Sequence, residues 1–174
     1  MMSSRPHCPQ ECPSQADIDA FHHAGIDIMS LAHPVAMKVA RGHVALDGRF
    51  DPDCRRDRWF VFDESEADDL VFWQRQTGRL ATWSGRALAL GQAAIDAAAT
   101  YSFDCSLNIF DDPLDWLRSR RDGIVVLDWT RAFDRLRDAP RIALAENLLQ
   151  SYRRYMRPAH LPELSIIPAQ RRAA

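Results

Sequence analysis

Four carboxylates fall where open α/β sheets gather ligand groups. Asp111 and Asp112 follow the apolar run Leu107–Phe110, Asp128 follows residues 124–127, and Glu146 follows residues 142–145. With each run as a parallel strand, all four stand beyond the carboxyl ends of strands, the usual ligand crevice of such sheets. Carboxylates collected there suit Mg²⁺, a hard cation that takes oxygen ligands and commonly bridges substrate phosphates. A nuclease, a phosphatase or a toprim-like phosphoester enzyme uses that chemistry. The same residues have a plainer use. Asp111 ahead of Asp112-Pro113 has the form of a helix N-cap followed by a first-turn proline. Asp128 begins a strand-to-helix turn, and Glu146 falls in a helical first turn, where the dipole favours negative charge. Capping is the expected role, with Mg²⁺ implied only under the enzyme alternative and no cofactor otherwise.

Other residue types that do chemistry are scattered. His7, Cys8, Cys12, His22 and His23 offer zinc-type ligands. The Cys-x₃-Cys spacing has no second cysteine pair behind it, so residues 1–14 are expected to be a disordered leader ahead of a half-exposed helix. Cys54 has basic neighbours in Arg55 and Arg56, which lower a thiol pKa, yet no motif places a histidine beside it. Cys105 is expected to be a small buried residue beside an apolar strand. No Gly-rich phosphate loop, GxGxxG, GxSxG or HExxH motif occurs.

Two sets of side chains suggest binding instead. Trp59, Trp73 and Trp83 lie within closely spaced aromatic runs, and alternate strand residues point to opposite faces, so part of this set is expected outside the core. Tyr152-Arg153-Arg154-Tyr155-Met156-Arg157 interleaves aromatics with arginine, as single-strand nucleic-acid binders do. On a helix, however, Leu148, Leu149 and Tyr152 form a core stripe, leaving Arg153, Arg154 and Arg157 on the solvated face.

Composition narrows these options. The 174 residues are 47% hydrophobic and 26% charged with a net charge of −2, values of a soluble globular chain. No apolar window reaches the roughly 18 residues of a membrane span, so no membrane association is expected. The charge is uneven: residues 131–174 carry nine Arg against four acids, and residues 1–130 carry thirteen basic against twenty acidic residues. The overall pI of about 6.3 makes nucleic acid an unexpected partner. Of 22 basic residues only Lys38 is lysine, which is what GC-rich coding produces. Four cysteines and a polar start with no apolar signal segment point to reduced thiols in a cytoplasm.

The elements that would position these groups can be read along the chain. Ser14 caps a helix over residues 15–24 that ends at Gly25. Pro34 and Gly42 bracket a possible helix over residues 34–41, with residues 43–46 as a short strand. Residues 59–62, 70–73, 80–83 and 87–90 read as an antiparallel meander spanning 58–90. An Ala-rich helix over 92–99 follows. Strands at 107–110, 124–127, 142–145 and 164–167 then alternate with helices over 111–118, 130–138 and 146–156, unless 141–156 is one continuous helix. The expected fold is therefore α/β (or α+β), one domain over 15–174. Residues 15–57 form its helical or irregular entry, 58–90 the meander, and 91–168 a βαβαβαβ half with a mostly parallel sheet.

The run Leu70-Val71-Phe72-Trp73 with Thr77-Gly78, then residues 81–87 with Leu90-Gly91, resembles uncharacterised proteins of GC-rich proteobacteria. So do residues 113–117 with 123–129. The second segment is also similar to toprim-type modules of mobile-element primases, although it lacks their glutamate after the first strand and their Asp-x-Asp pair. These features lead to an expected non-catalytic, cytoplasmic accessory or protein-binding domain with an aromatic-rich surface. A Mg²⁺-dependent phosphoester enzyme is the alternative.

Overall fold

A computed structural model describes residues 9–157. Its order is α1 (Gln15–His23), α2 (Ile28–Ala32), β1 (Lys38–Val44), β2 (Phe50–Pro52), β3 (Asp57–Glu64), β4 (Asp69–Gln74), β5 (Arg79–Thr82), β6 (Ala89–Leu90), β7 (Leu107–Phe110), α3 (Pro113–Arg118), β8 (Ile124–Val126), α4 (Ala132–Leu136), β9 (Ile142–Leu144) and α5 (Leu149–Tyr155). The fold is mixed α/β. An antiparallel sheet runs β2-β1-β3-β4-β5, and a second, mostly parallel sheet runs β6-β8-β7-β9. Among the described residues no helix is long and apolar enough to cross a membrane.

Alternation builds the first sheet with two buried faces. Trp59, Val61 and Phe72 point one way with Ala40, Phe50 and Ala81. Phe62, Val71 and Trp73 point the other way, against Phe21, Leu31, Leu90, Trp116 and Leu117. The first face closes because Phe50 lies flat on Phe72, centroids 3.7 Å apart. That stacking needs Gly42 opposite it, since a Cβ there would overlap the Phe50 ring and the Asp51 carbonyl. The second sheet carries α3 on one face, through Trp116 and Leu117 near Val125. On its other face Ile109 and Ile124 pack against Ala132 and Leu136 of α4.

Several expectations change. The 34–41 helix is strand β1, held over five residue pairs from Lys38↔Val61 to Gly42↔Asp57. Sheet pairing of this valine-containing run outweighs the weak Pro34 and Gly42 helix signals, and Gly42 serves packing rather than termination. The meander thus begins at residue 38, and its supposed last strand, β6, pairs antiparallel with β8 in the other sheet. Residues 9–14 are tied down rather than loose: Glu11 exchanges two 2.8 Å backbone hydrogen bonds with Val39, and Ser14 caps α1 in a capping box with Asp17. The expected strand at 142–145 is β9, parallel to β7, so 141–156 is not one continuous helix, and the helix expected over 146–156 is a 3₁₀ turn followed by α5. Cys105 is exposed, because it lies in the turn before β7 rather than inside the strand. The 164–167 strand, His7 and Cys8 lie outside the described residues.

The stripe expected on the last helix also moves. Leu149 is 41% exposed and Tyr152 is half-buried, while Arg153, Arg154 and Arg157 are exposed. Leu148, as expected, packs against the core, and Met156 joins it there. Burial then sets the cost of truncation. Leu149→Ala should shift the urea midpoint little, whereas Leu117→Ala, with Leu117 fully enclosed, should cost about 2–5 kcal/mol. Equilibrium unfolding of the two variants side by side checks this.

Candidate functional site

Two carboxylates close the β3–β4 hairpin, and they are register partners: Glu64 faces Asp69. Both are buried, 7% and 4% exposed, which a carboxylate tolerates only with compensating donors. Asp69 receives the backbone N–H groups of Leu70, Ser84, Arg86 and Ala87 at 2.7–2.9 Å. Burial pushes its pKa up, but the N–H groups of Ala87, Ser84 and Leu70 outweigh it and hold the carboxyl below its ordinary value. Glu64 receives the Gly91 N–H at 2.6 Å. Here burial dominates, and the Gly91 and Gln92 N–H groups and the Arg121 charge recover only part of the loss, so its pKa rises to about 7. Gly91 itself has φ +75°, and a Cβ there would meet the Gly123 carbonyl at 2.7 Å and the Trp116 ring at 3.0 Å. Only glycine lets the chain approach this closely.

Arg121 is the third part. It follows α3 in a left-handed conformation, φ 62°. Its two terminal nitrogens donate to the Val35 and Leu31 carbonyls at 3.0 and 3.4 Å. The guanidinium lies 5.4 Å from the ring centres of both Phe62 and Trp116, a geometry that planar arginine satisfies and lysine does not. Burial lowers its pKa to about 10 against the opposing pull of Glu64, so it stays charged at neutral pH. The guanidinium therefore fastens α2 and the segment after it to β3 and α3.

Around these groups lies a cleft of about 240 Å³, with Val35, Phe62, Glu64, Ala94, Trp116 and Arg121 among its walls. Val35, on the cleft wall, is 45% exposed. A larger hollow of about 340 Å³ lies along β1, between Pro9, Val39, Pro52 and Cys54. Its Glu11, Arg41 and Cys54 are exposed to solvent, whereas the smaller cleft holds a desolvated carboxyl. A hollow of about 410 Å³ between Glu66, Arg86, Arg131 and Arg135 is larger than both, but a few convergent polar groups in an apolar wall mark binding sites better than volume does, which favours the cleft at Glu64.

The residues singled out in the sequence are placed otherwise. Asp112 caps α3 by accepting from Leu114 and Asp115, and Asp128 accepts from Thr130. Asp111 accepts from the Asn147 side chain. Asp111, Asp112 and Asp115 bring ligand atoms within 4.8 Å of one another. Among the described residues Asp128 and Glu146 join no such group, and neither do Cys12, His22 and His23. Asp115 in turn pairs with Arg118 at 2.6 Å. Trp59 and Trp73, expected on a binding surface, are each 2% exposed. The curl of the sheet encloses both faces, and the Trp59 indole donates to the Gly42 carbonyl at 3.0 Å. Trp83 is half-buried. Sequence reading missed Glu64, Asp69 and Arg121. The one available signal was an acid at each end of the 64–69 turn, which reads as solvated loop. No protein-family model, curated protein or solved structure matches the chain.

Glu64 links stability to pH in a definite direction. Its folded pKa of about 7 stands above the ordinary 4.5, so the folded state binds the proton more tightly. The contribution of Glu64 is most favourable below about pH 4.5 and is lost as pH rises towards and through 7. In Glu64→Gln this decline should vanish. The variant should gain on wild type between pH 4.5 and 8 by about 3 kcal/mol at most, read as the difference between their urea-unfolding profiles.

Proposed function

We propose that this chain is a non-catalytic accessory domain of the cytoplasm that works by binding. Its recognition site is the cleft floored by Glu64, not an aromatic face of the meander. The observation that carries this reading is a deeply buried carboxyl, Glu64, in a cleft whose wall holds Phe62, Trp116 and the exposed apolar side chain Val35. A concave apolar wall with a few convergent polar groups is the usual mark of a ligand site. Three exposed thiols, Cys12, Cys54 and Cys105, are free, in keeping with a reducing compartment. The carboxylates at the ends of β7 and β8 favour the binding reading over a Mg²⁺ enzyme, because Asp112 and Asp128 are engaged in capping.

Amide and indole NMR shifts on titration with small aryl-alkyl probes test the site. Shifts should centre on Val35, Ala94 and the Trp116 indole. Ala93→Trp should abolish them without unfolding the protein, since Ala93 is exposed on the cleft wall. Shifts centred on Val39–Arg41, in the hollow along β1, would relocate the site and overturn the reading.

A further inference from the structure

We propose that the cleft selects a cationic head on an apolar body: a protonated amine or guanidinium carried by a short aliphatic or aromatic group. This rests on the cleft being the recognition site and adds the chemistry of what it recognises.

The first argument is charge. Asp63, Glu64 and Glu66 line the cleft against a single cation, Arg121. Arg121 is poorly placed to greet an anion. Both terminal nitrogens donate to carbonyls, the Nε is enclosed, and the guanidinium is stacked near Phe62 and Trp116. Its charge offsets part of the acidic field, and each of its terminal nitrogens already holds a backbone carbonyl. Glu64 is the opposite case. The Gly91 N–H fixes Oε1 at 2.6 Å, and a carboxylate with about four lone-pair sites keeps acceptor capacity after taking one or two N–H bonds. The floor is thus an immobilised acceptor in apolar surroundings, where an incoming donor need not order it.

The second argument is shape. Pro34, Val35, Ala93 and Ala94 make the walls apolar, so the part of the ligand behind the head must be apolar as well. A volume of about 240 Å³ corresponds to about eight waters at roughly 30 Å³ each. That suits a head with a short body rather than a folded partner. A metal ion fits less well than an organic cation. Among the described residues the only trio of potential ligands within 4.8 Å is Asp111, Asp112 and Asp115, so the cleft acids do not converge tightly enough to coordinate one ion. An extended organic cation with several N–H donors does not require that convergence. The raised proton affinity of Glu64 agrees: a desolvated carboxyl is short of positive charge, and a bound cation supplies it.

Three probes sharing one body and differing in the head test the proposal on the full chain: 4-phenylbutylamine, 4-phenylbutanol and 4-phenylbutyrate. They are titrated at pH 8, where Glu64 is mainly ionised, and followed by the Trp116 indole and Val35 amide signals. The amine should bind about tenfold more tightly than the alcohol, and the butyrate more weakly than either. Glu64→Gln should bring the amine to within about twofold of the alcohol, because only the amine loses a charge-assisted bond. Glu66→Gln, at an exposed position, should weaken the amine about twofold and serves if Glu64→Gln does not fold. Equal binding of amine and alcohol, or preference for the butyrate, overturns the cationic selection and leaves the cleft as a site. Failure of all three to bind at millimolar concentration overturns the cleft itself and this inference with it.

Discussion

Two buried carboxylates at one hairpin end hold the fold together. Glu64 and Asp69 face each other across the β3–β4 pair, and between them they collect backbone N–H groups from residues 84 to 91. That stretch is where the chain leaves the first sheet and enters the second. The N–H groups of Ser84, Arg86, Ala87 and Gly91 lie outside the pairing of Ala89 and Leu90 with β8, and buried unpaired donors are expensive. Asp69 satisfies three donors on the way from β5 to β6, and Glu64 satisfies the one just after β6. Without them the backbone on either side of β6 would have to be solvated, and the packing of Leu90 against Phe62, Val71 and Trp116 would open to water.

The two acids solve the same problem with different electrostatic outcomes. Asp69 is surrounded by enough N–H groups that its charge is favoured despite burial. Glu64 has fewer, and the nearest full cation, Arg121, is committed to the carbonyls of Leu31 and Val35. An ion pair between Glu64 and Arg121 would have freed the segment after α2; the structure instead uses arginine as a mechanical tie and leaves the glutamate under-compensated. The left-handed conformation of Arg120 and Arg121 belongs to the same compromise, since non-glycine residues hold it at a cost of about 1–3 kcal/mol each only when surrounding contacts over-determine it.

Local rules made part of this architecture legible. The α1 cap at Ser14, the Asp112-Pro113 opening of α3 and the apolar runs of β3, β4, β7 and β8 follow from spacing alone, because each depends on residues within one turn or one strand. Non-local features were not readable. Gly42 is indistinguishable in sequence from a helix terminator; only the ring of Phe50 across the sheet decides its role. Trp59 and Trp73 alternate as an outward face requires, yet the curl buries both faces. The last helix was read from an ideal stripe, but it begins as a 3₁₀ turn, which turns Leu149 outward and leaves Leu148 against the core. Glu64, Asp69 and Arg121 were missed for the same reason: apart from the Leu70 N–H on Asp69, their hydrogen-bond partners are 15 to 90 residues away, and an acidic turn on its own looks solvated.

The two sets of carboxylates in this chain show why position at a strand end is a weaker indicator of chemistry than solvation. Asp112 and Asp128 cap short helical turns near the surface, where water and first-turn N–H groups together support their charge. A ligand cation arriving there gains little that solvent does not already provide. Glu64 also accepts backbone N–H groups at the start of a helical turn, but it does so at a sheet junction closed to water, and the remaining cost of its charge is visible in its proton affinity. A positive group entering the cleft removes that cost at the moment of binding, so the interaction is realised in full only in the complex. The same desolvation that makes Glu64 a weak contributor to stability at neutral pH is what a cationic ligand in the proposed site would relieve.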